Sequence, residues 1–398
     1  MLGAGGFDWG RLFREPGFRR LSEAAVAAAS RETAAPLVEA LGRPPTASAV
    51  ELAAFAAAFQ GVAAEIALLP DAGAFPPELG EFLRFEAERS RARAETLLGL
   101  LAEASAALTR DGIDAVALKG AALLLSGLAG PGRRPMGDLD LLLADPGRMD
   151  GAARALAPLG WRTLFDTRRH RVLARETERV VRPGCEDPGN PVRIELHYAL
   201  RIPVLGRTYD LTDAVLAAAE PAGRGGICCR VSAGNALRRH LLVHAAEDFA
   251  ATGLRGIQAA DFRLLSRSGG PVSVALPEAD RRAGVAPLAY AALAVERLFP
   301  GSFDAAFLES LRAGVPAALR ERAATIPPLR RTRPPEGWTR TALALAESPG
   351  AKARFFLRTA LPPPEEVRVN VAPEATGLSL LAVWLRLFGR RVRRLVSG

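Results

Sequence analysis

Lysine is almost missing from this chain. Among 52 basic residues only Lys119 and Lys352 are lysine, and every other strong cation is arginine. Cysteine is nearly as scarce, with Cys185, Cys228 and Cys229. An odd count with two neighbours argues against a disulfide framework and for a reducing compartment, and the spacing does not suit zinc. No apolar run is long enough to cross a bilayer, and the start of the chain lacks the basic stretch and apolar core of a signal peptide. A cytoplasmic protein without a transmembrane segment is therefore expected.

Alanine, glycine, proline and arginine are plentiful, with 38 Gly, 30 Pro and 49% hydrophobic residues but only 6% aromatic. This is the mark of a high-GC bacterial coding bias rather than of low complexity. At 398 residues the chain exceeds a typical single domain and can bury a large core. A net charge of +9 and a pI near 10.5 fit an anionic partner such as a nucleotide, RNA or anionic lipid, although arginine bias alone also makes a basic chain.

Chemistry concentrates between Ala117 and Leu143. Asp138-Leu139-Asp140-Leu141-Leu142-Leu143 follows Gly137 and reads as a buried strand. Successive side chains on a strand point to opposite faces, so Asp138 and Asp140 share one face and Leu139, Leu141 and Leu143 the other. Two carboxylates aimed at one point raise each other's pKa unless a cation sits between them, and hard oxygen ligands select Mg²⁺ or Mn²⁺. An Asp-x-Asp beside a turn is also common on solvated strand starts.

Just upstream, Ile113 to Leu118 is a short β-favouring run, and Gly120 opens a helical apolar pattern through Leu125. Strand, glycine, helix is a geometry that binds phosphate. Lys119 stands at that turn, where a chain so biased to arginine has kept a compact ammonium. Arg133 and Arg134, in the Gly/Pro turn before the carboxylates, are candidates for bidentate phosphate contacts. In Val192 to Tyr198 the alternation puts Ile194 and Leu196 inward and Arg193, Glu195 and His197 on the opposite face, which makes Glu195 the candidate third carboxylate.

The flanks read as helical. Residues up to about 80 hold Ala-rich helices, notably Ala47 to Leu69, and Pro77 to Arg110 is one long helix. After the Asp-x-Asp strand come a helix over Pro146 to Leu159, a strand over Trp161 to Phe165, and a strand over Arg171 to Val181 joined to the Glu195 strand by a longer loop. From about residue 232 the pattern is helical again. The division is 1–80 as an N-terminal helical region, 81–220 as the core and 221–398 as a C-terminal helical domain. His240 and His244 lie one turn apart with Asp248 beyond, a metal face or, on the weight of their context, structural histidines. Leu378 to Val396 alternates apolar residues with five arginines as a basic amphipathic helix, suited to docking on its own domain or lying peripherally on anionic lipid or RNA.

Leu118-Lys119-Gly120, a following helix, an arginine-containing turn, Gly137-Asp138-Leu139-Asp140 and then Ile194-Glu195-Leu196-His197-Tyr198 resemble, in order and spacing, the uncharacterised bacterial nucleotidyltransferase family of the DNA polymerase beta-like superfamily. The resemblance is best over about residues 85–200. It implies an α+β fold with a small mixed sheet flanked by helices. It also implies transfer of a nucleoside monophosphate from an NTP to an acceptor hydroxyl on RNA (tRNA among them), protein or a small molecule. Asp138, Asp140 and Glu195 would hold two Mg²⁺ (or Mn²⁺) ions, with Lys119, Gly120, Arg133, Arg134 and Gly137 around the phosphates. One departure stands out: the wider superfamily carries glycine-serine at the strand-to-helix turn, where this chain has Gly120-Ala121 and no hydroxyl. That departure supports the alternative of a non-catalytic nucleotide- or partner-binding protein that keeps the fold. Three like charges held together support the enzyme.

Overall fold

The computed structural model describes residues 15, 17–130, 132–175, 190–222, 226–251, 253–329, 338–360 and scattered positions from 383 to 389. Cys185 and most of the expected basic tail helix fall outside these residues.

The described residues begin with the helices α1 (Phe18–Arg31), α2 (Ala35–Leu41), α3 (Ala47–Gln60) and α4 (Ala63–Ala67). The single helix expected from Ala47 is broken at Gly61, which caps α3 in the left-handed region at φ +71°. A Cβ there would stand 3.0 Å from Ile257, so the break also lets a later helix approach closely. The long helix expected over Pro77 to Arg110 is present with those bounds, as α5. Proline at its start needs no backbone donor, and Gly112 at φ +65° ends the turn beyond Asp111. At about 1.5 Å per residue it is long enough to serve two cores. Its first turns bury Leu79 and Leu83 among helices, and its later turns bury Leu97, Leu101 and Leu108 beneath the sheet.

Among the described residues the main sheet has seven strands, in the order β3-β4-β5-β2-β1-β9-β8. They are β1 (Ala115–Ala117), β2 (Asp138–Leu143), β3 (Trp161–Asp166), β4 (His170–Arg175), β5 (Arg193–His197), β8 (Ala219–Pro221) and β9 (Arg230–Ser232), while β6 (Arg201–Val204) and β7 (Arg207–Asp210) make a separate hairpin. The sheet is mixed: β2 runs parallel to β5 and β1 to β9, and the other neighbours are antiparallel. This is the α+β arrangement the sequence implies. The strand expected from Arg171 is described only as far as Arg175. The expected Pro146 to Leu159 helix is α7 (Met149–Leu156) between two short 3₁₀ turns, the second containing Pro158, which has no N–H to continue the ladder.

Strand alternation sorts the two cores. Leu139, Leu141 and Leu143 pack with Ala115, Ala117, Met149 and Leu156 on one face of the sheet. Val116 and Leu142, on the face that carries Asp138 and Asp140, join the other cluster. That cluster is continuous from Phe18 to Leu345 and takes in residues of α9 (Gly234–Ala251), α10 (Gly256–Gly269) and α12 (Ala286–Leu298) as well as the N-terminal helices. The acidic face of β2 therefore looks at helices contributed from later in the chain. No described helix is long and apolar enough to cross a membrane.

Candidate active site

Parallel pairing of β2 with β5 sets Asp140 directly opposite Glu195 and Asp138 opposite Arg193. The three expected carboxylates thus come to one face of two adjacent strands. Asp140 is 4% exposed, Glu195 is half-buried and Asp138 opens to solvent at the strand's start. The starts of both strands are tied by one residue the sequence reading passed over. Arg93, on α5 and 1% exposed, donates to the carbonyls of Asn190 at 2.6 Å, Gly137 at 2.8 Å and Pro191 at 3.1 Å. Gly137 enters the arrangement through that bond.

Lys119 meets the carboxylates from the other side. It is the first residue of α6 (Lys119–Leu125) and its φ is +48°, a conformation costing an L side chain about 1–2 kcal/mol. The turn holds its ammonium 2.7 Å from Asp140 Oδ1. Backbone strain held in place beside buried charge is a feature of functional sites. Burial pulls the ammonium's pKa down, and the carboxylates of Asp140, Asp138 and Glu195 overcome it, so it stands above the ordinary lysine value. Burial likewise pushes Asp140 up, yet Lys119 and His197 hold it well below the usual aspartate range. Burial and then Asp140 push Asp138 up, although solvent reaches it, against the pull of Lys119 and Arg134. The same two causes carry Glu195 up to about 7. Adjacent acids are thus driven apart in acidity, the pattern by which a site keeps one carboxylate ionised and another ready to exchange a proton.

The two arginines of the turn part company. Arg133 is exposed, and its charge bears on Glu65. Arg134 is inside, bidentate on Asp261 of α10 through Nε at 2.7 Å and Nη2 at 2.9 Å. Its guanidinium lies over Gly120, where a Cβ would come within 2.9 Å of Cζ and 2.6 Å of Met136 Sδ. Glycine at this turn therefore makes room for an arginine. Asp261, whose role no local pattern marks, is the residue that fixes it.

His197 was read on the same face as Glu195 without a role, and here its Nε2 stands 3.0 Å from Asp140 Oδ1. His170 packs on it with ring centroids 5.3 Å apart. Burial lowers the pKa of both, to about 4 for His170, which keeps them neutral near pH 7. On α9, His240 is fully buried within electrostatic range of Lys119 and Asp140, and His244 acts on Asp138. The chain's four histidines all bear on one cluster of carboxylates. Their scarcity is visible in the sequence, but the convergence is made only by the fold, which brings distant helices and strands together.

A mixed sheet bearing carboxylates on adjacent parallel strands, with a lysine at the strand-to-helix turn beside them, defines the nucleotidyltransferase class. The chain belongs to the family described as "Uncharacterised nucleotidyltransferase", whose model matches residues 47–301. No curated protein and no solved structure matches it.

Proposed function

We propose that the chain transfers a nucleoside monophosphate from an NTP to an acceptor hydroxyl and releases pyrophosphate, using a divalent metal, Mg²⁺ or Mn²⁺, held by Asp138, Asp140 and Glu195. The observation that carries this reading is the register of β2 on β5, which puts Asp140 opposite Glu195 with the Lys119 ammonium at 2.7 Å. The residues fit such an ion: three carboxylates share one strand face, and nearby His240 keeps two buried ring nitrogens without a hydrogen-bond partner among the described residues. An ion held there would supply neutralisation of phosphate charge and a lowered pKa for the acceptor hydroxyl.

The rest is done by side chains. Glu195 takes the proton that leaves the acceptor hydroxyl as the new P–O bond forms, directly or through water. The bond to pyrophosphate breaks on the other side of the phosphorus, and the charge that develops there meets Lys119 and Arg134, the main protein contribution to such a transfer. The acceptor is RNA, a protein or a small molecule, and the basic composition favours RNA. A non-catalytic nucleotide-binding role is the second reading. It is favoured by the engagement of both cations with carboxylates, Lys119 on Asp140 and Arg134 on Asp261, and by the missing hydroxyl at Ala121.

The test is transfer of α-phosphate label from each of the four NTPs, with Mg²⁺ or Mn²⁺, into RNA and protein fractions, beside Asp140→Asn. Label in one fraction, reduced at least about a hundredfold in the variant, supports the enzyme and names its acceptor class. Thermal stabilisation by NTP without any label supports the binding protein.

A further inference from the structure

The acidic face carries a nitrogen donor that an all-oxygen metal site does not have. His197 lies two residues beyond Glu195 on β5, so strand alternation brings both to the face that bears Asp140. Asp140, Glu195 and His197 each offer one ligand atom, and the three atoms lie within 4.8 Å of one another. The nitrogen involved is Nε2, at 3.0 Å from Asp140 Oδ1 and 3.8 Å from Glu195 Oε2. Two carboxylates and one imidazole balance a dication in charge. The oxygen of Asp140 nearest His197 is already the one that the Lys119 ammonium approaches, at 2.7 Å, so a cation is favoured at this point.

A second observation is independent of that triad. His240 is 0% exposed, and neither of its ring nitrogens has a hydrogen-bond partner among the described residues. Its helix α9 packs on α6, the helix that begins with Lys119, and both Lys119 and Asp140 act on it electrostatically. A buried imidazole with both nitrogens unpaired is costly, and a water or ion held beside it would satisfy it.

We propose that Asp140, Glu195 and His197 form a site for a first-row transition dication, Mn²⁺ or a later member of the series, in preference to Mg²⁺, with His240 hydrogen-bonding a water carried by that ion. Mg²⁺ demands oxygen ligands in near-ideal octahedral geometry and gives up its water reluctantly, whereas imidazole suits the transition dications, whose affinity rises from Mn²⁺ through Co²⁺ to Ni²⁺. Lys119 and the ion compete for Asp140, so binding frees the ammonium for phosphate. This inference rests on the acidic face being the metal face and specifies which ion that face selects.

The experiment uses the full chain, stripped of metal by chelator and titrated with Mn²⁺ alone, with free Mn²⁺ read by electron paramagnetic resonance. One equivalent is expected to bind, to resist about a hundredfold excess of Mg²⁺ and to yield to Co²⁺ near equivalence. Pulsed measurements should show ¹⁴N coupling from a directly bound imidazole. His197→Gln should abolish the coupling and weaken Mn²⁺ at least about tenfold, and His240→Gln should weaken Mn²⁺ about tenfold with the coupling intact. If His197→Gln does not fold, the coupling in the wild type decides by itself. Absence of bound Mn²⁺, Mn²⁺ bound without ¹⁴N coupling, or displacement by equimolar Mg²⁺ overturns the proposal. Label transfer that still depends on Asp140 in those cases leaves the nucleotidyltransferase reading standing and removes only this ligand set.

Discussion

Replacing Gly120 by alanine tests whether the glycine exists to admit Arg134. On helix propensity alone the change gains about 1 kcal/mol, since alanine is the better helix former. Against this, the added Cβ would stand 2.9 Å from Arg134 Cζ and 2.6 Å from Met136 Sδ. Met136 is unbranched and can turn aside. Arg134 cannot move without loosening its two bonds to Asp261, at 2.7 and 2.9 Å, and the Asp261 side chain is only 3% exposed. Breaking a buried pair by removing one partner costs about 3–5 kcal/mol, and a displaced arginine retains part of the attraction, so the net expected loss is about 2–3 kcal/mol. Urea unfolding of the wild type, Gly120→Ala, Arg134→Ala and the double variant isolates the effect. With Arg134 truncated the steric partner is gone, and Gly120→Ala should then be neutral or stabilising by up to about 1 kcal/mol. An equal cost in both backgrounds would refute the close-approach argument.

Lys119→Gly should be more stable than Lys119→Ala by about 1–2 kcal/mol, because both lose the ion pair with Asp140 but only glycine accepts φ +48° freely; equal stabilities would mean the backbone there is unstrained. Glu195, raised to about 7, binds its proton more tightly folded than unfolded, so its stabilising contribution is complete below its unfolded value of about 4.3 and fades as pH rises through 7. Buried His170, lowered to about 4, acts with the opposite sign over that range. The useful readout is therefore a difference: the metal-free melting temperature of Glu195→Gln relative to wild type should climb from pH 4.5 to 7, and a flat difference would contradict the assignment. Metal affinity of the wild type should rise over the same interval, as calorimetry would register. Arg93→Met should cost about 3 kcal/mol or more, since three carbonyls lose a charged donor, and should weaken metal binding although Arg93 touches no ligand. A cost below about 1 kcal/mol would show that the strand starts hold themselves.

Local pattern made much of this site legible. Alternation in Asp138 to Leu143 and in Arg193 to His197 assigned faces correctly, because a strand's period of two is a property of the backbone rather than of the fold. The long α5 was legible for a similar reason: proline starts it and Asp-Gly ends it. What stayed hidden depends on residues far apart in the chain. Arg134 and Asp261 are 127 positions apart, and Arg93 lies 97 positions from Asn190, so neither pairing leaves a mark on any window of sequence. Arg133 and Arg134 look equivalent in the turn, yet one faces solvent and the other crosses Gly120 to Asp261, a distinction made only by what packs above them.

Scarcity carried information that motif reading used only in part. In a chain that answers nearly every need for positive charge with arginine, one of two lysines stands on Asp140, and all four histidines bear on the same carboxylates. A general preference for arginine does not account for these exceptions. Arginine's planar fork wants two acceptors side by side, as Arg134 finds on Asp261, whereas a single oxygen already shared with an imidazole takes a compact ammonium. Arginine also cannot give up its proton to become a ligand, while a neutral imidazole offers a lone pair without adding charge. The rare residues thus mark the place where the common cation cannot do the chemistry. The histidines, of which only His197 stands in a quoted motif, therefore bear on which ion such a face would select.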